Sequence, residues 1–433
     1  MRSDRPCIAA VLTAALALTG GRGCGTRGAV LHPTFPDGGL VATGKPLAPG
    51  ALRRLDGMYA VRSGSAIFGS SAAAHATLTT LSLFTDQNAA YAILRGACLD
   101  DGRKLVLEGT WRFPNSEKTG LARFFVGPDA VAKSLCANES GPTPAPPTFD
   151  GTTGDAAALP TSPAALAFDY GLKPTAGRFV IVGHHGACAT IDDCGASENS
   201  IESIQLTPAF GASIVELDVQ LSADGVPFLF HDGNFGARLT AGPFCHGPAG
   251  GLTFANIRAN CKLKFGEAVP SLDEALVAVL AEPDLRGVWL DLKSSAVVAP
   301  AMAVIAKHGG STPRGARGVH IVVGLADSDS IAAYAALPPP AGNLCLVELS
   351  PDDTRRAGCQ IWGPSWTTGP DPDDVAALQA EGRAVTFWTI DDQEFIDQYL
   401  RSTTANGMVT NRPGLVFHRY QMLGKLPPDR AQL

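Results

Sequence analysis

The sequence predicts a (β/α)8 barrel (TIM barrel) preceded by a small N-terminal all-β domain, and three observations predict it. From about residue 178 onward, short apolar runs alternate with helical patterns, about eight such runs in about 240 residues. Residues 51–137 instead carry short β-prone runs broken by turn signals, as a compact antiparallel unit would. Finally, histidines and carboxylates stand at the ends of the apolar runs in the C-terminal part, where a parallel barrel carries its chemistry.

The elements follow in chain order. A length of 433 residues exceeds one average domain, and 45% hydrophobic residues suffice for a core. Residues 1–25 read as a signal peptide: Arg2 and Arg5 precede an apolar run over 8–18, too short to span a bilayer. Cys24 is a possible lipid attachment point, so the expected location is secreted or in the cell envelope, periplasmic or extracellular, with membrane attachment through the N-terminus. Residues 26–50 are Gly- and Pro-rich and read as a flexible segment. In the β domain, strands are expected over 57–61, 78–84, 90–94, 105–111 and 121–126, with turns at 100–102 and 114–116. No catalytic constellation stands out there. Residues 138–177 are rich in Pro, Gly, Thr, Ser and Ala and read as a linker.

The barrel is expected over 178–420, with a tail over 421–433. Its strands are placed at 179–182, 214–220, 227–230, 287–292, 319–323, 344–349, 384–389 and 407–410, as apolar runs suited to burial on both faces. Helices are placed at 200–210, 272–280, 301–308, 329–336, 372–381 and 393–400. Asp371 before Pro372 reads as an N-cap, as does Asp391 or Asp392. Among the ten cysteines, those at 98 and 136, 188 and 194, 245 and 261, and 345 and 359 are sequence neighbours. An exported chain favours disulfides between such neighbours, and no CxxC spacing suggests a thiolate metal site.

A net charge of −7 argues against non-specific nucleic-acid binding, and leaves room for a small phosphate-bearing substrate held at a locally cationic site. Glu216 and Asp218 alternate on one strand and therefore face the barrel interior together. Two buried carboxylates repel, and a hard divalent cation, Ca²⁺ or Mg²⁺, relieves that cost; Asp291 is the natural third ligand. His184 and His231 end two other strands and suit acid/base work at neutral pH. Lys293 offers a cation for phosphoryl oxygens.

The strings GHHGACATIDDCGASENSIES and GASIVELDVQLSADGVPFLFHD, followed by VPSLDEAL, LDLK, VTFWTIDD and GMVTNRP, resemble the glycerophosphodiester phosphodiesterase family within the PLC-like phosphodiesterases. The resemblance covers about residues 179–413 and implies a TIM barrel, phosphodiester hydrolysis to an alcohol and glycerol phosphate, and a divalent metal. By position it puts the catalytic histidines on His184 and His231 and the metal carboxylates on Glu216, Asp218 and Asp291. The motif lysine falls on Lys293, the PEN-type pair on Glu198 and Asn199, and a mouth aromatic on Trp388. Three departures stand out: His185 where the family has a phosphate-binding arginine, Asp291 for glutamate, and Asn411 for aspartate. A phospholipase-type enzyme acting on intact lipids, or a degraded, non-catalytic envelope binding protein, are the alternative readings.

Overall fold

The computed structural model describes residues 32–114, 116–173, 179–187, 189, 194–241, 245–309, 319–337 and 344–423. The expected signal peptide, Cys24 and most of the C-terminal tail lie outside the described residues.

The N-terminal domain is a closed antiparallel barrel. Its strands are β1 (Gly57–Ser63), β2 (Ser71–Ala76), β3 (Thr80–Phe84), β4 (Tyr91–Leu99), β5 (Lys104–Arg112), β6 (Thr119–Gly127), β7 (Thr148–Asp155) and β8 (Ser162–Tyr170). Each pairs with its successor, and β8 closes on β1. Tyr59, Phe124 and Phe149 fill the interior, with Tyr59 stacked on Phe149 at 4.5 Å. Cys98–Cys136 ties β4 to the helix Asp129–Cys136.

Three expectations for this region are corrected. The segment read as a linker supplies β7 and β8. Its glycines are demanded by close backbone packing: a Cβ at Gly151 would overlap the carbonyl of Arg123, and one at Gly154 the carbonyl of Ala158. Strand β2 was not expected, because SAAAHA is alanine-rich. Its alanines are small because both faces are buried: Ala72 and Ala74 face the barrel core, and Ala73 faces the second domain. Part of the segment read as flexible is ordered, with a helix at Gly39–Thr43 and a short strand, Lys45–Pro46, pairing with β4.

The C-terminal domain is a closed eight-stranded parallel barrel. The strands are β9 (Val180–Gly183), β10 (Ile214–Leu221), β11 (Gly287–Leu292), β12 (His320–Leu325), β13 (Leu344–Val347), β14 (Ile361–Trp362), β15 (Ala384–Phe387) and β16 (Gly407–Thr410). Strand β9 pairs with both β10 and β16, which closes the ring. Outside it lie α1 (Ile201–Leu206), α2 (Leu272–Ala281), α3 (Ser295–Lys307), α4 (Ser328–Ala335), α5 (Pro351–Arg356), α6 (Pro372–Ala380), α7 (Gln393–Ser402) and α8 (Pro413–Leu423).

One expected barrel strand is replaced. Pro227–Leu229 pairs antiparallel with β10 as a hairpin arm. The missing barrel strand is β14, whose two residues are too few to register as an apolar run. The hairpin opens an inserted segment with its own core around Phe228, Phe230 and Phe235, closed by Cys245–Cys261. Helix α3 begins before Pro300 rather than after it. Asp392 caps α7 by accepting from the Glu394 N–H, whereas Asp371 makes no capping hydrogen bond at α6. Cys345–Cys359 forms as expected; Cys188 lies outside the described residues.

The two barrels share a buried seam. Phe84 of β3 meets Phe417 of α8 at 5.6 Å, and Tyr91 meets Phe210 edge-on. Arg419 bridges Asp86 of the first domain and Asp397 of the second. No helix among the described residues is long and apolar enough to cross a membrane.

Candidate active site

The carboxylates are built by strand geometry. Glu216 and Asp218 alternate along β10, and Asp218 pairs in register with Asp291 on β11. Ligand oxygens of Glu216, Asp218 and Asp291 all lie within 4.8 Å of one another. Burial, then the neighbouring Asp218 and Asp291, hold the Glu216 carboxyl well above the usual range. Burial likewise raises Asp291. Asp218 is held low, because His185, Lys293 and His231 together outweigh its burial. Burial works against the Lys293 ammonium, but Asp218, Asp291 and Glu216 outweigh it and raise its pKa. Lys293 Nζ lies 2.6 Å from Asp218 Oδ1 and 2.5 Å from Asp291 Oδ2. Asn199 clamps Asp218: its Nδ2 donates to Oδ2 at 2.6 Å, and its Oδ1 accepts from the Asp218 N–H at 2.9 Å.

This donor set fits a hard divalent cation. All three groups offer oxygen, Asp291 Oδ1 is buried without a hydrogen-bond partner, and one lysine cannot neutralise three carboxylates.

The histidines arrive from different elements. His184 follows β9, and its Nδ1 lies 3.0 Å from Asn411 Oδ1. Asn411 Nδ2 donates to Asp391 Oδ2 at 2.7 Å, so its oxygen must face His184. Nδ1 of His184 therefore carries the proton, and Nε2, 3.9 Å from Glu216 Oε2, keeps its lone pair. Burial also lowers the His184 pKa, which favours the neutral base. His231 follows the hairpin arm, and its Nδ1 lies 2.9 Å from Asp232 Oδ1, leaving Nε2 for the cavity. Arg238, from the inserted segment, holds Asp232 in turn.

A cavity of about 360 Å³ opens over this group, lined by His184, His231, Glu216, Asp291, Lys293 and Trp388 among others. His185, expected at the phosphate, does not line it. Its ring is only 6% exposed and is wedged with Nδ1 3.5 Å from Glu198 and Nε2 3.3 Å from Asp218. Glu198 and Asn199 are buried behind the mouth as braces rather than at its surface. Sequence reasoning missed Trp289 and Glu348, which also line the cavity, and the part Asp391 plays behind Asn411. The position of Glu348 directly after β13 was the available signal, since carboxylates at strand ends face the mouth.

Comparison with known proteins meets this geometry. Residues 184–286 match the Glycerophosphoryl diester phosphodiesterase family. A probable glycerophosphodiester phosphodiesterase 2 of Mycobacterium tuberculosis is 25% identical over 232 residues, half of this chain and 83% of that protein. The barrel is thus similar to glycerophosphodiester phosphodiesterases over the matched residues. Rat glycerophosphodiester phosphodiesterase 1 is 35% identical over 114 residues, 24% of this chain and 33% of that protein. Among solved structures, a putative glycerophosphoryl diester phosphodiesterase from Silicibacter pomeroyi aligns with a TM-score of 0.48 and 22% identity, over 57% of this chain and 94% of that one. A phosphodiesterase from Oleispira antarctica, in complex with sn-glycerol-3-phosphate, aligns at 0.46 and 21%, over 55% of this chain and 96% of that one. The antiparallel barrel precedes the family match in the chain.

Proposed function

We propose that the chain is a metal-dependent phosphodiesterase that hydrolyses glycerophosphodiesters, or similar small phosphodiesters, to an alcohol and glycerol phosphate. One observation carries the reading: in a barrel that resembles this family, His184, His231, Glu216, Asp291 and Lys293 line one cavity, with Asp218 beside it.

The roles follow from the geometry. Nε2 of His184, met by Thr389 Oγ1 at 3.5 Å, carries the lone pair and takes the proton of the attacking hydroxyl, whether from water or from a neighbouring hydroxyl of the substrate. His231, oriented through Asp232, donates a proton to the departing alkoxide oxygen, so the P–O bond to the alcohol breaks as the new P–O bond forms. Lys293 faces the phosphoryl oxygens as a cation. Glu216, Asp218 and Asp291 would hold Ca²⁺ or Mg²⁺, which supplies charge neutralisation at the phosphoryl group. His185 takes the place of the family's arginine but braces Asp218, so the phosphate is met by Lys293 and the metal without a bidentate guanidinium.

The disulfides Cys98–Cys136, Cys245–Cys261 and Cys345–Cys359 support work outside the reducing cytosol, in the envelope or beyond it, with attachment through Cys24 as one route to a membrane. The test is release of glycerol phosphate from a glycerophosphodiester by the purified chain. Release should fall at least about a hundredfold in His184→Ala, a protein that stays folded. Undiminished release in that variant removes His184 from the chemistry, and no release by wild type under Ca²⁺ or Mg²⁺ removes the reading itself.

A further inference from the structure

A second cluster, rich in nitrogen, lies beside the three carboxylates. Ligand atoms of His185, Asp218 and His231 come within 4.8 Å of one another. They belong to the end of β9, to β10 and to the end of the hairpin arm, so the pairing of these strands brings them together. His185 has no part in the proton transfers above.

His185 is the unexplained member. Its ring is buried, and neither ring nitrogen has a hydrogen-bond partner, although Glu198 Oε1 and Asp218 Oδ2 stand close to Nδ1 and Nε2. An imidazolium holding both carboxylates would aim an N–H at each oxygen, and neither contact has that geometry. A neutral ring carries one N–H and one lone pair, so between two carboxylates one lone pair faces an oxygen. A cation between two such electron-rich atoms, away from water, removes the conflict.

The other two members are set for the same ion. His231 has Asp232 on Nδ1 and keeps Nε2 for the cavity; His185 has Glu198 on Nδ1 and Asp218 on Nε2. A carboxylate behind one ring nitrogen and a metal on the other is the usual setting of a histidine ligand. The two rings stand 4.7 Å apart with their planes at 57°. His184 is the poorer partner, because its ring overlies that of His185 at 3.5 Å and 32°, which sets the in-plane lone pairs side by side. On Asp218, Lys293 meets Oδ1, while Oδ2 accepts from Asn199 and keeps a second lone pair. Arg238, the other permanent cation here, is engaged with Asp232, Glu198 and the Nδ1 side of His231.

We infer that His185, His231 and Asp218 form a second cation site, which takes a borderline transition-metal ion of the zinc kind beside the hard cation of the carboxylates, and that this second ion inhibits. Imidazole nitrogen suits zinc, whereas Ca²⁺ and Mg²⁺ keep to oxygen. An arginine at residue 185 could not ligate, so the histidine there creates the site. Only the inhibition rests on the phosphodiesterase reading: an ion on Nε2 of His231 occupies the atom that donates the proton.

The test is calorimetric titration of Zn²⁺ into the full chain already loaded with Ca²⁺. Wild type should take up one further ion per chain. His185→Gln should weaken that binding by more than about a hundredfold, and Asp232→Asn, which loosens His231 from behind, by about tenfold to a hundredfold. His184→Gln should bind zinc as wild type does. Co²⁺ in place of Zn²⁺ should give the strong visible absorption of a low-coordinate site with nitrogen ligands, and His185→Gln should lose it. As the site fills, glycerol phosphate release by wild type under Ca²⁺ should fall at least about a hundredfold. Zinc that binds His185→Gln as tightly as wild type, or binds only by displacing Ca²⁺, overturns the site, as does loss of binding in His184→Gln. Zinc held through His185 with release undiminished overturns the inhibition. Zinc held through His185 in a chain that releases no glycerol phosphate under any ion keeps the site and removes the enzyme reading.

Discussion

The molecule closes two eight-stranded barrels by opposite rules, and the cavity lined by histidines and carboxylates lies at the parallel one. In the antiparallel barrel, the interior is mostly apolar and is packed with Tyr59, Phe68, Phe124 and Phe149. In the parallel barrel, Val182, Trp289, Val322, Leu346 and Val409 fill the interior below, while the strand ends above carry Glu216, Asp218, Asp291 and Glu348. Closure is common to both, so closure does not make a site. What makes one is placing charged groups where burial costs free energy that a bound ion or substrate can restore. The first barrel lies along α8 through Phe84 and Phe417, against the strand whose end bears Asn411.

This contrast can be broken in order of effect. On the proposed role of His231 as acid, His231→Ala should lower turnover by about a hundredfold to ten-thousandfold while melting unchanged, since the side chain is partly exposed. A variant that turns over normally would place the acid elsewhere. Phe149→Ala, in the first barrel, should do the reverse: about 3–5 kcal/mol of stability lost, seen by denaturant melting, with kcat of the folded protein retained. If kcat falls in step with stability, the first barrel shapes the site directly.

The seam between the barrels should be acid-sensitive. His75 and His418 both lie there, and burial lowers each to about 4, with Asp284 and Asp86 working weakly in the other direction. The unfolded chain protonates these rings near 6.5, the folded chain only near 4, so stability is full above about pH 6.5 and falls as pH drops toward 4. The loss should approach about 3 kcal/mol per histidine, and His418→Gln should remove about half of the slope between those values, leaving the share of His75. A melting temperature as pH-dependent in that variant as in wild type would assign the effect to other groups. Arg419→Ala, which removes the ion pairs to Asp86 and Asp397, should cost about 1–2 kcal/mol, checked by the same melts. Loss of a single cooperative transition in this variant would show that the two barrels are held together mainly by this residue.

Much of the site was legible in the sequence, because it rests on local rules. The i, i+2 spacing of Glu216 and Asp218 fixes their common face, and strand ends fix His184 and Asp291 at the mouth. The unread parts depend on distant chain. Strands β7 and β8 looked like linker because glycine is required where two backbones nearly touch, a constraint that only the partner strand reveals. Strand β14 is two residues long and gets its identity from β13 and β15 on either side. His185 looked like a phosphate ligand by position, but Glu198 and Asp218 capture its ring from two other segments. Asp391 looked like a helix cap and instead orients Asn411, which fixes the proton on His184.

The most direct test of the central claim is glycerophosphodiester turnover followed while Ca²⁺ or Mg²⁺ is titrated into chelator-treated protein. Turnover should vanish on chelation, return in proportion to one ion bound per chain, and fail to return in Asp218→Asn. Full turnover in chelated protein with no ion bound, or normal turnover in Asp218→Asn, would contradict the convergence of carboxylates and imidazoles on one catalytic mouth.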